Sequence, residues 1–193
     1  MEKTRLEAFS DGVLAIIITI MVLELKVPHE PTLAALTALW PKFLSYVLSF
    51  VYVGIYWNNH HHMMMASRKV SGSVLWANLH LLFWLSLLPF TTGWMGENHF
   101  DRWPAFFYGI NLLGAAIAYY ILQGRLLHLQ EPDSVLARAV GSDFKGKVSP
   151  LLYLSGIVAA WSGLTWLSLI LYGAAALMWL VPDRRIEREL KQH

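Results

Sequence analysis

Residues 5–28 read RLEAFSDGVLAIIITIMVLELKVP, and the reading of this stretch decides the fold class. Its apolar centre has the length of a bilayer crossing: about 20 residues at about 1.5 Å each match a hydrocarbon core of about 30 Å. Yet it carries Asp11 near one end and Glu24 near the other. An ionisable side chain inside such a segment is costly and is a functional-site candidate by default. Those two carboxylates, and the lack of a small-residue cleavage pattern after the run, argue against a signal peptide. A first membrane helix over Arg5–Val27, stopped by Pro28 and Pro31, is expected, with the later helices packed around it.

The rest of the chain repeats the pattern. Of 193 residues, 56% are hydrophobic and 15% charged, where a soluble domain carries about a quarter charged residues. Mean hydropathy is +0.45. Long apolar runs separated by short charged clusters predict an all-α, polytopic membrane protein, a single domain over residues 1–193 without room for a soluble catalytic module. The net charge of +2 is too small to point to nucleic acid. The absence of cysteine removes disulfides and cysteine-ligated metals and leaves the redox compartment open.

Six transmembrane helices are expected. After the first come Thr32–His61, Val70–Trp94 and Trp103–Leu127, then a polar loop, EPDSVLARAVGSDFKGK, with room for one helical turn. The last run, Val148–Val181, is too long for one ordinary span, and Ser162-Gly163 offers a turn near its middle, so a tight pair of short helices is predicted. Basic residues test the count. With six spans, Lys3, Arg5, Arg68, Lys69, Arg125, Arg138, Lys145, Lys147, Arg184, Arg185, Arg188 and Lys191 share one side, twelve of the fifteen; Lys26, Lys42 and Arg102 fall on the other. The positive-inside rule makes the first side, with both termini, cytoplasmic. Tyr56-Trp57, Trp94, Trp103 and Trp179 near the proposed ends fit interfacial aromatic belts.

At about 100° per residue, Ile16, Thr19, Ile20 and Leu23 fall along one stripe of the first helix. Two readings stand: a packing stripe against a neighbouring helix, or a pore line whose side-chain rings make a hydrophobic constriction that gates by dewetting. Asp11 lies about 140° around from Ile16, which turns it towards other helices of its own bundle, with Ser10 beside it. The run His60-His61-His62 invites a metal reading, but consecutive helical positions diverge by about 100° and cannot converge on one ion. A helix end with one histidine turned inward accounts for them. Trp57, Trp76, Asn78 and His80 are further candidate partners for Asp11 or Arg5. Met63-Met64-Met65, without spaced Met-x-x-Met motifs, does not make a soft-metal site.

Several signatures are missing from the sequence. There is no TVGYG-type filter, no Walker motif, no His-Glu-x-x-His, no Gly-x-Ser-x-Gly and no arginine-rich sensor helix. No matching pair of broken apolar segments points to an inverted-repeat transporter.

Arg5-x-x-x-Phe9-Ser10-Asp11 resembles the signature of the transmembrane protein 175 family, potassium-permeable channels that lack a pore loop. Trp57-x-x-His60-His61, Asn78-Leu79, Pro89-Phe90 and Pro182-Asp183-Arg184 are supporting matches. A single six-helix repeat resembles the bacterial form, which assembles as a homotetramer; animal members carry two repeats and dimerise. The resemblance implies that helix 1 of each subunit lines a central pore, with Ile16 as the main constriction and further layers at Thr19 or Ile20 and at Leu23. It also implies that Arg5, Phe9, Ser10 and Asp11 anchor helix 1 through packing and hydrogen bonds, together with Trp57, His60, His61 and Asn78. Potassium would be the permeant ion in the inner (cytoplasmic) membrane, with no cofactor and no enzymatic activity. Glu24, with Glu30, would raise local cation concentration at the outer mouth. One tension remains: Arg5 lies about 20° from the Ile16 stripe on a straight helix, and a ring of unpaired cations would oppose cation passage. The competing expectation is a proton- or ion-coupled secondary transporter with Asp11 as relay.

Overall fold

The computed structural model describes residues 3–131, 134–140 and 144–180. The expected motif Pro182-Asp183-Arg184 and the basic residues that follow it lie outside them. Among the described residues every regular element is a helix. The first helix, α1 (Lys3–Leu23), is followed by a short α2 (Leu33–Thr37) and a long α3 (Trp40–Met65). Next come α4 (Gly72–Ser86), α5 (Leu88–Glu97) and α6 (Arg102–Leu127). A short α7 (Val135–Val140) precedes the closing pair α8 (Phe144–Trp161) and α9 (Thr165–Leu180).

Prolines account for the main departures from the expected boundaries. α1 ends at Leu23 rather than Val27, so Glu24 has left the helix; Pro28 disfavours a helical residue before it, and the chain unwinds ahead of that point. The expected helix over Thr32–His61 is split, because Pro41 sits in the first turn of α3, where its missing N–H costs nothing. Thr32 instead caps α2, accepting from the Ala35 N–H at 3.2 Å. The expected helix over Val70–Trp94 likewise divides at Leu87, just before Pro89. The break frees backbone groups, and a side chain from α6 takes them up. With its amide assigned in the orientation that satisfies both ends, Asn111 donates from nitrogen to the Trp84 carbonyl at 2.7 Å, and its oxygen accepts from the Leu88 N–H at 3.3 Å and the Thr91 hydroxyl at 3.1 Å. A bend is tolerable in an apolar setting only when its freed groups are satisfied this way.

The turn expected at Ser162-Gly163 is present. Leu164 N–H bonds back to Ala159 at 2.8 Å and Gly163 N–H to Ala160 at 2.9 Å, the paired bonds that close a helix over a left-handed residue. Gly163 is that residue, at φ 81°. A less favourable turn joins α5 to α6, where His99 (φ 50°) and Phe100 (φ 60°) are both left-handed without being glycine. Phe100 is buried there against Trp40 and Trp166, with ring centroids 5.7 and 5.8 Å away.

Successive long segments run in opposite directions, as contacts at their ends establish. At one end Lys3 Nζ donates to the carbonyls of Met64 (3.1 Å) and Ser67 (3.3 Å), tying the start of α1 to the end of α3. Gln130, beyond α6, accepts from the Arg68 N–H at 3.0 Å. Trp179 near the end of α9 donates to Ser149 near the start of α8 at 2.6 Å. At the other end Lys42 pairs with Glu97 at 3.0 Å, Trp40 stacks on Trp166 at 6.3 Å, and Trp103 meets Trp161 at 5.4 Å. Among the described residues, three stretches are long and apolar enough to cross a membrane by length and composition: Lys3–Leu23, Gly72–Glu97 taken through its bend, and Arg102–Leu127.

The core lies between α3, α4, α6, α8 and α9, around Tyr52, Leu81, Leu85, Tyr108, Leu112 and Tyr172. Small residues let these helices approach closely. A side chain at Gly156 would overlap the Tyr172 ring, and one at Gly114 the Trp84 ring. The Tyr172 hydroxyl donates to the Ala105 carbonyl at 3.2 Å, so its position leaves little freedom. Tyr56, expected in an aromatic belt, is instead buried against Tyr119, with ring centroids 6.0 Å apart.

Candidate functional site

α1 packs on α3, α4 and α5 and stands on the side of the subunit away from α8 and α9. Its inward face is Leu6, Ser10, Leu14, Ile17 and Met21, spaced by three or four residues. Only 28% of its apolar stretch is buried within the chain, against 50% in the other two candidate spans. Most of that apolar stretch is therefore not buried within the chain. The uncovered face carries Ile16, 58% exposed, with Ile20 and Leu23, the last 75% exposed. Thr19 lies among them, its hydroxyl donating to the Ile16 carbonyl at 2.8 Å. That bond commits the proton to the helix and leaves the oxygen lone pairs outward.

Two adjacent residues of the quoted motif lead to two different networks. Ser10 is fully buried. Its hydroxyl donates to the Leu6 carbonyl at 2.8 Å, so it accepts from Asn78 Nδ2 at 2.9 Å. The Asn78 oxygen then faces His60 Nε2 at 2.8 Å. This order makes Nε2 the protonated nitrogen and gives one directed chain from His60 on α3, through Asn78 on α4, to α1. Buried polar groups that are all paired in this way hold helices in a single register.

Asp11 takes the other direction. Its Oδ1 accepts from the Trp57 indole N–H at 3.1 Å, and both side chains are exposed. Trp57 in turn stacks on His61, centroids 6.1 Å apart. Asp11 thus reaches α3 at the rim of the bundle rather than inside it. Of the histidine run, His60 is buried, His61 exposed and His62 half-buried.

The other candidates are not drawn into these networks within the chain. Arg5 and Phe9 face outward on the uncovered side of α1. Trp76 is exposed, and His80 accepts from Trp84 on its own helix at 3.1 Å. Met63 and Met64 are buried and Met65 is not. No group of three His, Cys, Asp or Glu residues among the described residues could hold a metal ion. Glu24 lies over α5, where a side chain at Gly93 would come 3.7 Å from its Oε2. With Pro89, Phe90, Trp94 and Glu97 it lines an open concavity of about 260 Å³. Sequence reasoning missed the Lys3 tie to α3 and the Asn111 bridge, since neither residue belongs to a motif.

A family model described as the endosomal/lysosomal potassium channel TMEM175 matches residues 5–89. A potassium channel of Chryseobacterium sp. is 52% identical over 193 residues, covering the whole of both chains. The chain belongs to the TMEM175 family. A potassium channel of Streptomyces collinus is 34% identical over 151 residues, 72% of this chain and 73% of that one. The fold agrees with the crystal structure of a lysosomal potassium-selective channel TMEM175 homolog from Chamaesiphon minutus. TM-score is 0.83 and identity 28%, covering 94% of this chain and 98% of that one. TMEM175 membership and the apolar helices make this a helical membrane protein.

Proposed function

We propose that this chain is the subunit of a homotetrameric, potassium-selective channel of the cytoplasmic membrane, with six spans (α1, α3, α4–α5, α6, α8, α9) and α1 nearest the pore axis. The observation that carries the reading is the uncovered aliphatic face of α1. An apolar face alone suits lipid equally well, but this one is flanked by exposed Arg5 and Asp11. Asp11 lies about 12 Å into the helix from Lys3, a depth at which a carboxylate facing hydrocarbon is costly. A neighbouring subunit or water resolves the conflict, and a ring of subunits supplies both.

In such a ring Ile16 forms the main constriction, with Thr19 or Ile20 about 5–6 Å and Leu23 about 10 Å further along. Aliphatic collars at that spacing gate by excluding water, and potassium sheds its hydration more readily than sodium in a neck that returns few oxygens. Glu24 stands past the outer end of the neck and favours cations. Arg5 stands at the inner end, where a neighbouring subunit must neutralise it. The basic end of the bundle, with Lys3, Arg68, Lys69 and Arg125, is cytoplasmic.

Exposure of Asp11 also fits a proton relay, the second reading. Against it, α1 offers no ionisable group between Asp11 and Glu24, a gap of about 20 Å.

The absence of native cysteine permits a direct test. Ile16→Cys and Ile17→Cys are compared under a water-soluble methanethiosulfonate reagent. The account expects current block at position 16 and none at the buried position 17; block at 17 alone would contradict it.

A further inference from the structure

The geometry points to a phospholipid-headgroup site at Arg102, at the end of the bundle opposite the basic cluster. Arg102 opens α6, and its guanidinium carbon lies 5.3 Å from the Trp103 ring centroid and 4.9 Å from that of Trp161 on α8. The two indoles meet almost at right angles, interplanar angle 85°, and hold the cation in their corner. Its Nε is buried and has no hydrogen-bond partner. Asp101 is adjacent, but its carboxylate accepts from the Arg102 backbone N–H at 2.6 Å and makes no ion pair with the guanidinium. Among the described residues no ion pair reaches the guanidinium, and two aromatic faces flank it.

A planar cation with five donors and no acceptor is unfinished at such a place. The surroundings say what completes it. Trp103, Trp161 and Trp166 are each about half-exposed, and Phe106 packs on Trp103 and Trp161, the mixture of apolar body and polar tip that settles at headgroup depth. α1 packs chiefly on α3, α4 and α5, and α6 chiefly on α8 and α4, so with α1 at the pore axis the α6–α8 seam faces lipid. This step rests on the channel reading above. Guanidinium matches a phosphodiester with paired N–H donors, which a lysine cannot do. The occupant is the phosphate of a phospholipid, its chains lying along the apolar surface of α6 and α8.

The test uses purified, delipidated full chain in detergent. Thermal unfolding is followed with added phosphatidylglycerol, with diacylglycerol of the same chains, and with water-soluble glycerol phosphate. Wild type should unfold at a higher temperature with phosphatidylglycerol than with diacylglycerol, and Arg102→Gln should abolish that difference, whatever its own baseline stability. A difference that survives Arg102→Gln intact would overturn the proposal, as would equal protection by glycerol phosphate, which marks a free-anion site. Should Arg102→Gln fail to assemble, Trp161→Leu removes one wall at a half-exposed position. Phosphatidylglycerol retained per subunit, read by native mass spectrometry, should then fall several-fold, and unchanged retention would sink the idea. Potassium current recorded on the same preparation separates the two readings. Loss of the lipid difference with current intact removes only this site; absence of current with the difference intact removes only the channel.

Discussion

The indole N–H of Trp57 donates to Oδ1 of Asp11 at 3.1 Å across the α1–α3 seam, and both residues stand on the outer surface of the subunit. One residue earlier, Ser10 is buried and bonded to Asn78. Neighbouring motif positions therefore make different contacts: Ser10 ties α1 to its own bundle, while Asp11 and Trp57 hold a braced carboxylate on the outer surface, where the channel proposed above has its neighbouring subunit.

A double-mutant cycle measures that brace. Trp57→Phe and Asp11→Asn should each weaken assembly in detergent, with a coupling energy of about 1 kcal/mol between them. Asp11→Ala should lower the assembled fraction more than Asp11→Asn, which keeps an acceptor for the indole. Fully assembled Asp11→Ala with altered permeation would instead favour the relay reading.

In the proposed ring, Ile16→Asn would replace an aliphatic collar with amides. Single-channel recording should show higher conductance and a smaller difference between potassium and sodium permeability. Unchanged currents would remove Ile16 from the constriction.

Asn78→Ala strands the His60 Nε2–H and removes the donor to Ser10. An unpaired buried donor costs about 1–3 kcal/mol, so thermal unfolding in detergent should shift down clearly. Trp76→Ala, at an exposed position two residues away, should shift it much less.

His99→Gly tests the left-handed turn. His99 adopts φ 50° with its side chain exposed, so glycine removes strain without losing packing, and stability should rise by about 0.5–1 kcal/mol. A loss would mean that the imidazole makes a contact worth more than the strain.

Much of the architecture was legible in the residues. Apolar run length marked the long helices, and Ser162-Gly163 marked the α8–α9 turn because only glycine takes φ 81° without penalty. Pro41 and Pro89 also stood in plain view, yet the runs around them read as continuous because hydropathy does not register a missing N–H. At the site, periodicity located faces on α1 but not what lay opposite them. Ser10 and Asn78 are 68 residues apart, and Asp11 and Trp57 are 46 apart. Pairing across such separations is settled by how helices pack, which spacing within one helix does not encode. The exposure of Phe9 shows the same limit: its neighbour Ser10 is buried, and which of the two turns inward depends on where α3 and α4 stand.

The central claim is tested most directly by the reversal potential of purified protein in a planar bilayer, with potassium on one side and sodium on the other. Unitary currents reversing near the potassium equilibrium value are predicted. Slow flux without unitary steps, dependent on a second substrate or on a proton gradient, would contradict the account and make Asp11 a coupling group.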